Sequence, residues 1–234
     1  MPKIKWILFD WKDTIYDSVS TSKIAERNNI QYAVFKKHGI NIRKDELKKY
    51  YLLAKQFIEF NYKGSYKRHA PGLVYSKLLK LAGIKLSLAK CKQMEKEFDN
   101  LFFENIVLFP GITSLLKKLK KNYFLAVISN TRKERLRLVL KKSKLKDYFD
   151  FTISSYELKA EKSKLTPFKH FLKMAGASPQ EAIMIGNRID EDLIAKKLGI
   201  KTILFDYYKK NKDQKYKPIH SISELTKELE MLIG

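Results

Sequence analysis

Hydrophobic positions along the chain fall into two patterns. From Asp17 to about Asn105, apolar residues recur at helical spacing in four groups. Turn residues separate these groups, namely Gly39, Gly64, Pro71-Gly72 and Gly83. From Val107 onward, short apolar runs of strand type alternate with amphipathic helical segments. The pattern therefore predicts a four-helix unit followed by a unit of alternating strands and helices.

The alternating unit predicts a parallel sheet, because a helix after each strand implies crossover connections. Its predicted strands are 123–128, 151–153, 182–185 and 201–205, and its predicted helices are 110–119, 132–144, 167–175, 190–198 and 223–232. The buried-strand pattern of residues 4–9 precedes the four helices, so this strand must rejoin the later sheet. We therefore expect an α/β fold, a Rossmann-like doubly wound parallel sheet formed by 1–16 and 107–234, with an all-α insert at 17–106.

Composition is that of a globular protein with a real core. The chain has 234 residues, of which 44% are hydrophobic, and its apolar runs are too short to span a membrane. Met1 leads directly toward the first strand without a signal peptide, which predicts a cytoplasmic protein with no membrane partner. The only cysteine, Cys91, cannot form an internal disulfide, and its charged neighbours suggest a helix surface.

Charge is the strongest compositional signal. The chain carries 48 Lys and Arg against 25 Asp and Glu, a formal net charge of +23. This excess favours anionic partners through long-range attraction, so phosphorylated or anionic small molecules are expected substrates. Nucleic acid is a less favoured partner, because the basic residues are spread along the whole chain.

Polar and charged side chains follow the predicted strands at their carboxyl ends. In a parallel sheet these ends share one edge, and the ligand crevice lies just beyond it. The first strand is followed by Asp10, Lys12 and Thr14. The second leads to Ser129 and Asn130, and the strand ending near Ile185 leads to Asn187 and Asp192. Two lysines, Lys162 and Lys164, stand just before a predicted helix and are rival candidates for the same edge.

These residues give the sequence a resemblance to the haloacid dehalogenase superfamily. Phe9, Asp10, Thr14, Asp17 and Ser18 match its first motif, FD-x-D-G-T-L-x-DS, and Ser129-Asn130 match its second. The segment from Lys162 to Pro179 resembles its third motif, and GNRIDED at 186–192 resembles its fourth, GDR-x-D-x-D. The four-helix insert after the first motif is similar to the cap domain of one subgroup.

The resemblance implies a role for each of these side chains. Asp10 would attack phosphorus to form an aspartyl-phosphate, and Lys162 would neutralise the shared charge. The groups that would hold the phosphoryl oxygens are Lys12, Thr14, Ser129 and Asn130. A magnesium ion would be held by Asp10, Asn187 and Asp192. A phosphomonoester phosphatase is thus the leading expectation.

Two positions depart from the family pattern. Lys12 stands where phosphatases of the family have an aspartate that works as general acid and base, and Asn187 stands where they have a carboxylate that ligates Mg²⁺. Three hypotheses follow. Asp13 or an acid of the cap replaces the lost acid; or Lys12, paired with Asp10, replaces the metal, giving a metal-independent hydrolase of the dehalogenase kind; or the site binds anionic ligands without turnover.

Overall fold

A computed structural model describes residues 3–213 and 215–233 of the chain. Met1 and Gly234, the ends of the predicted core range, lie outside the described residues, as do Pro2 and Gln214. Contacts group the described residues into two compact units. One is formed by 3–18 with 107–213 and 215–233, and the other by 19–106.

The first unit is built on a parallel five-stranded sheet, as predicted. Its strands are β1 (Trp6–Phe9), β2 (Phe124–Ser129), β3 (Phe151–Ser154), β4 (Ala182–Gly186) and β5 (Lys201–Leu204). Their order is β3-β2-β1-β4-β5, so β1 is the central strand and pairs with β2 and β4. The strand that precedes the helical insert thus does rejoin the later sheet, and the carboxyl ends of β1, β2 and β4 lie side by side.

The centre of the sheet is buried on both faces, which explains the nearly continuous apolar character of β1 and β4. The indole of Trp6 stacks on Phe124 and Phe151 with ring centroids 4.8 and 5.3 Å apart, and meets Phe171 edge-on. The helices of this unit are α6 (Ile112–Leu119), α7 (Lys133–Lys142), α8 (Thr166–Ala175) and α9 (Ile222–Ile233). Each turns its apolar stripe inward while its lysines face water.

One predicted helix of this unit is wrong in type and length. In place of a helix over 190–198, the structure has a 3₁₀ segment, Leu193–Leu198. The preceding residues are held in a loop, because the Asp192 carboxylate accepts a hydrogen bond from the backbone N–H of Arg188. The Asp192 backbone N–H also donates to the Arg188 carbonyl at 2.8 Å, so side-chain and backbone bonds together close this loop.

The second unit is helical, as predicted. A short helix, α1 (Ser18–Ile24), leads into the four longer ones, α2 (Arg27–Lys37), α3 (Lys44–Tyr62), α4 (Leu73–Leu81) and α5 (Leu88–Phe102). Within the described chain, no helix combines the length and apolar character that crossing a bilayer would require. The expected surface position of Cys91 is wrong, because this residue lies on the buried face of α5 together with Met94 and Phe98.

Candidate active site

The nucleophile predicted from the sequence lies at the carboxyl end of the central strand. The backbone N–H of Asp10 donates to the carbonyl of Ile185 at 2.8 Å, which extends the β1–β4 ladder by one residue and fixes where the side chain begins. Asp10 is only 6% exposed, and its neighbour Ser129, the last residue of β2, is equally buried. The aspartate therefore sits in a largely dry position at the ligand edge of the sheet.

A buried lysine joins two carboxylates at this edge. The ammonium of Lys162 lies 2.6 Å from Oδ1 of Asp10 and also forms an ion pair with Oδ1 of Asp192. Lys162 is 1% exposed and Asp192 is fully buried. We call this trio the lysine bridge. Its members come from three separate segments, and Asp10 and Lys162 are 152 positions apart in sequence.

Burial and neighbouring charges shift the pKa values of the lysine bridge in opposite directions. Burial raises the pKa of Asp10, although attraction to the Lys162 ammonium lowers it. Burial and then repulsion from Asp10 raise the pKa of Asp192 to about 7, against the lowering effect of Lys162. Burial also disfavours the charge on Lys162, yet attraction to both carboxylates outweighs it and raises the pKa of the ammonium. Lys162 is therefore a fixed positive charge at neutral pH, beside two carboxylates that are costly to ionise.

The loop after β4 is built around the Asp192 carboxylate. Oδ1 contacts Lys162, and Oδ2 accepts the Arg188 backbone N–H at 2.9 Å. Gly186 is required here for a steric reason, since a Cβ at this position would collide with the Asp192 carboxyl group. Asn187 is half-buried beside it. The glycine of the fourth motif thus makes room for the carboxylate that anchors the lysine.

Asn130 fixes the backbone that carries the lysine. Its Oδ1 accepts a hydrogen bond from the Lys162 backbone N–H at 3.0 Å, while its buried Nδ2 has no partner in the described part of the chain. Lys162 opens a short 3₁₀ turn, Lys162–Lys164, after which Leu165 takes a left-handed conformation. Lys164, the rival candidate, is exposed. Of the two lysines, the structure brings only Lys162 to Asp10.

Several buried polar atoms of this unit have no partner in the described chain. Thr14 is fully buried and its Oγ1 forms no hydrogen bond, and the same holds for the hydroxyl of Ser155, one residue beyond β3. The Ser163 hydroxyl and the Trp11 indole N–H are also unsatisfied. A buried polar group without a partner costs about 1–3 kcal/mol, so such atoms indicate a bound anion or water. Sequence analysis missed Ser155, although its position at a strand end was a usable signal.

In the first motif, one expectation is wrong and a second candidate residue has a structural contact. Lys12 is exposed, and in the described residues Asp10 is paired with Lys162 and not with Lys12, so the expected Lys12–Asp10 pair is wrong. Asp13, the alternative acid, has a left-handed backbone, and its Oδ1 accepts the backbone N–H of Ser18 at the start of α1. Asp13 therefore has a structural task, because it caps a helix.

The donor set does not fit the magnesium ion that the family resemblance implies. In the described residues, no three His, Cys, Asp or Glu side chains are grouped so as to hold a metal ion. Of the three expected ligands, Asn187 is uncharged, and Asp10 and Asp192 are both bound to Lys162. Mg²⁺ prefers anionic oxygens in octahedral geometry.

Comparison with known proteins identifies the family. Residues 7–205 match the family described as haloacid dehalogenase-like hydrolase. The glyceraldehyde 3-phosphate phosphatase of Pyrococcus furiosus is 29% identical over 239 residues, which cover 99% of this chain and 94% of that protein. The enzyme of the same name from Methanocaldococcus jannaschii is 31% identical, with 95% of each chain covered.

A solved structure shows the same fold. The magnesium-bound hydrolase YfnB of Bacillus subtilis superposes with a TM-score of 0.74 at 21% identity, covering 98% of this chain and all of that one. At this identity the likeness concerns the fold. The fold of this chain is accordingly shared over 98% of its length with a crystal structure described as that of a putative hydrolase.

Proposed function

The chain belongs to the haloacid dehalogenase-like hydrolase family, and we propose that it is a phosphatase that hydrolyses small phosphate monoesters through Asp10. The observation that carries the proposal is the buried contact between the Asp10 carboxylate and the Lys162 ammonium at the ligand edge of the sheet. Relatives that align over nearly the full length are named as phosphatases of a small phosphorylated aldehyde, which supports the same substrate class.

The reaction follows from the chemistry of a buried carboxylate. A carboxylate oxygen of Asp10 attacks phosphorus, and the bond from phosphorus to the alcohol oxygen breaks, which leaves an aspartyl-phosphate. The departing alkoxide takes a proton from water. A second water attacks the phosphoryl group, the bond to Asp10 breaks, and inorganic phosphate is released with the carboxylate restored. The proton that this water loses neutralises the hydroxide left by the first step. Lys162 holds Asp10 in place and offsets the charge that builds up between nucleophile and phosphoryl oxygens.

The phosphoryl oxygens would be held by donors on the loops around Asp10. Thr14 Oγ1 and Asn130 Nδ2 are buried and unsatisfied, so a phosphoryl group would supply the acceptors they lack. Ser129 closes β2 beside them. Lys12, exposed two residues after the nucleophile, would attract the dianionic substrate toward the site. We also propose that residues 17–106 act as a cap that selects the substrate.

The test uses p-nitrophenyl phosphate, because its leaving group departs without needing a proton donor. Asp10→Asn removes the nucleophile with little change in shape, and turnover should fall by about 10³-fold or more. Asp13→Asn is the matched control, since an asparagine oxygen can still cap α1. This control should keep turnover near the wild-type level.

The same experiment separates the competing hypotheses. Because p-nitrophenyl phosphate needs no proton donor, loss of turnover in Asp13→Asn, with the fold intact, would make Asp13 the base that activates water in the second step. Wild-type turnover in Asp10→Asn would refute the nucleophile. Phosphate that binds and protects the protein against unfolding, without turnover of any ester or haloacid, would mean a site that binds anions only.

A further inference from the structure

We infer that this hydrolase works without a resident divalent metal ion, because Lys162 occupies the carboxylates that such an ion would need. The catalytic part of this inference rests on the function proposed above, but its binding part rests on the site alone. The structure supplies three independent observations, which concern Asp192, Asp10 and Asn187.

Both carboxylate oxygens of Asp192 already have a hydrogen-bond partner. One oxygen contacts the Lys162 ammonium, and the other accepts the Arg188 backbone N–H at 2.9 Å. The carboxyl group is also packed against Gly186 so closely that a Cβ would not fit there. To ligate an ion, Asp192 would have to give up a buried charged hydrogen bond or open the loop that follows β4.

Asp10 has at most one carboxylate oxygen without a contact to Lys162, and this oxygen is the one available to attack phosphorus. Its Oδ1 lies 2.6 Å from the Lys162 ammonium, and the backbone N–H of Trp11 also donates to its carboxylate. A phosphatase of the proposed kind needs one anionic oxygen of Asp10 to attack phosphorus. The positive charge beside the nucleophile is thus already present as an ammonium, held on a backbone that Asn130 fixes.

Asn187 puts a neutral amide where the family's fourth motif has a carboxylate. It follows Gly186 at the start of the same loop, and its amide oxygen is an uncharged ligand atom. Magnesium dehydrates reluctantly and is bound through carboxylates and phosphates, so an amide contributes little to its affinity. The lysine bridge sets one ammonium against two carboxyl groups, so its net charge is no more negative than −1. This is a weak attraction for a divalent cation.

Metal binding can be measured without any assay of activity. The probe is Mn²⁺, whose free aquo ion gives a six-line electron paramagnetic resonance spectrum that weakens when the ion is bound. Wild-type protein at about 0.1 mM should leave this spectrum unchanged, whereas Asn187→Asp, which restores a carboxylate, should bind Mn²⁺ at least about tenfold more tightly. Asn122→Asp is the matched control, since it adds the same charge at an exposed position before β2.

Turnover of p-nitrophenyl phosphate provides the second measurement. Chelator-treated wild-type protein should react at the same rate with and without added Mg²⁺. One tightly bound Mn²⁺ per wild-type chain, lost in Asp10→Asn, would overturn the inference, as would turnover that requires Mg²⁺. Absence of turnover under every condition would refute the proposed phosphatase instead, and the Mn²⁺ titration would still decide the question of the metal.

Discussion

The two units of the protein each carry a cation away from bulk water, and they stabilise it in opposite ways. In the sheet unit, Lys162 meets the carboxylates of Asp10 and Asp192. In the helical unit, the half-buried guanidinium of Arg27 lies over the rings of Tyr51, Phe98 and Phe102, with its carbon 5.0–5.2 Å from each ring centroid. Aromatic faces attract a cation through their quadrupole and have no nucleophilic atom.

The difference explains why the Lys162 ammonium suits the proposed catalysis and the half-buried Arg27 guanidinium suits a structural role. The Lys162 ammonium is compensated by carboxylates, and one of them, Asp10, ends a strand where a ligand can approach. Arg27 joins helices α2, α3 and α5 through ring contacts and a hydrogen bond to the Tyr51 hydroxyl. Burial of a charge is thus a poor sign of function by itself, and the chemical nature of its partners decides the question.

Removing the lysine should have the largest effect. Lys162→Met leaves two buried carboxylates without their counter-charge, so the free energy of unfolding should fall by about 3–5 kcal/mol and turnover should be lost. Urea unfolding and p-nitrophenyl phosphate hydrolysis measure the two effects. Lys164→Met, at the exposed lysine two residues later, is the control and should stay within about 0.5 kcal/mol of wild type. Equal behaviour of the two variants would show that the lysine bridge has no role.

Removing the arginine should destabilise the protein without affecting the reaction. Arg27→Met keeps much of the packing against the rings but loses the cation. The free energy of unfolding should therefore fall by about 1–2 kcal/mol. The turnover number of the folded protein should not change. Arg43→Met is the control within the same unit, because this guanidinium forms only an exposed pair with Asp45. A large loss of turnover in Arg27→Met would mean that the two cations are not as different as we infer.

Removing an unsatisfied hydroxyl should give the smallest and most specific effect. Thr14→Val keeps the shape of the side chain and deletes a buried oxygen that has no partner in the described residues, so stability should stay equal or rise by up to about 1 kcal/mol. Inhibition by inorganic phosphate should weaken by about tenfold, the value of one charge-assisted hydrogen bond. Thr202→Val on β5 is the control and should leave phosphate inhibition unchanged. Phosphate inhibition that is unchanged in Thr14→Val would place this hydroxyl outside the anion site.

Sequence patterns were sufficient for the fold but less reliable at the ends of elements. Strand periodicity predicted all five strands within two residues, and the prediction that β1 rejoins the later sheet is confirmed. The helix expected over 190–198 is not formed, and residues 188–192 form a loop in which the Asp192 carboxylate accepts the Arg188 backbone N–H, a contact that no periodicity reveals. Cys91 was misplaced because charged neighbours were taken to describe its own helix face.

The sequence by itself determined where the site lies, since a carboxylate at the end of a buried parallel strand must emerge at the ligand edge of the sheet. Only the tertiary structure decided which cation faces that carboxylate. Lys12 is the second residue after Asp10, yet it is exposed. Lys162 is 152 positions away, yet it is brought to Asp10 by strand pairing and by Asn130. Periodicity determines which face or edge a residue occupies, but contacts between distant segments depend on how the whole sheet is assembled.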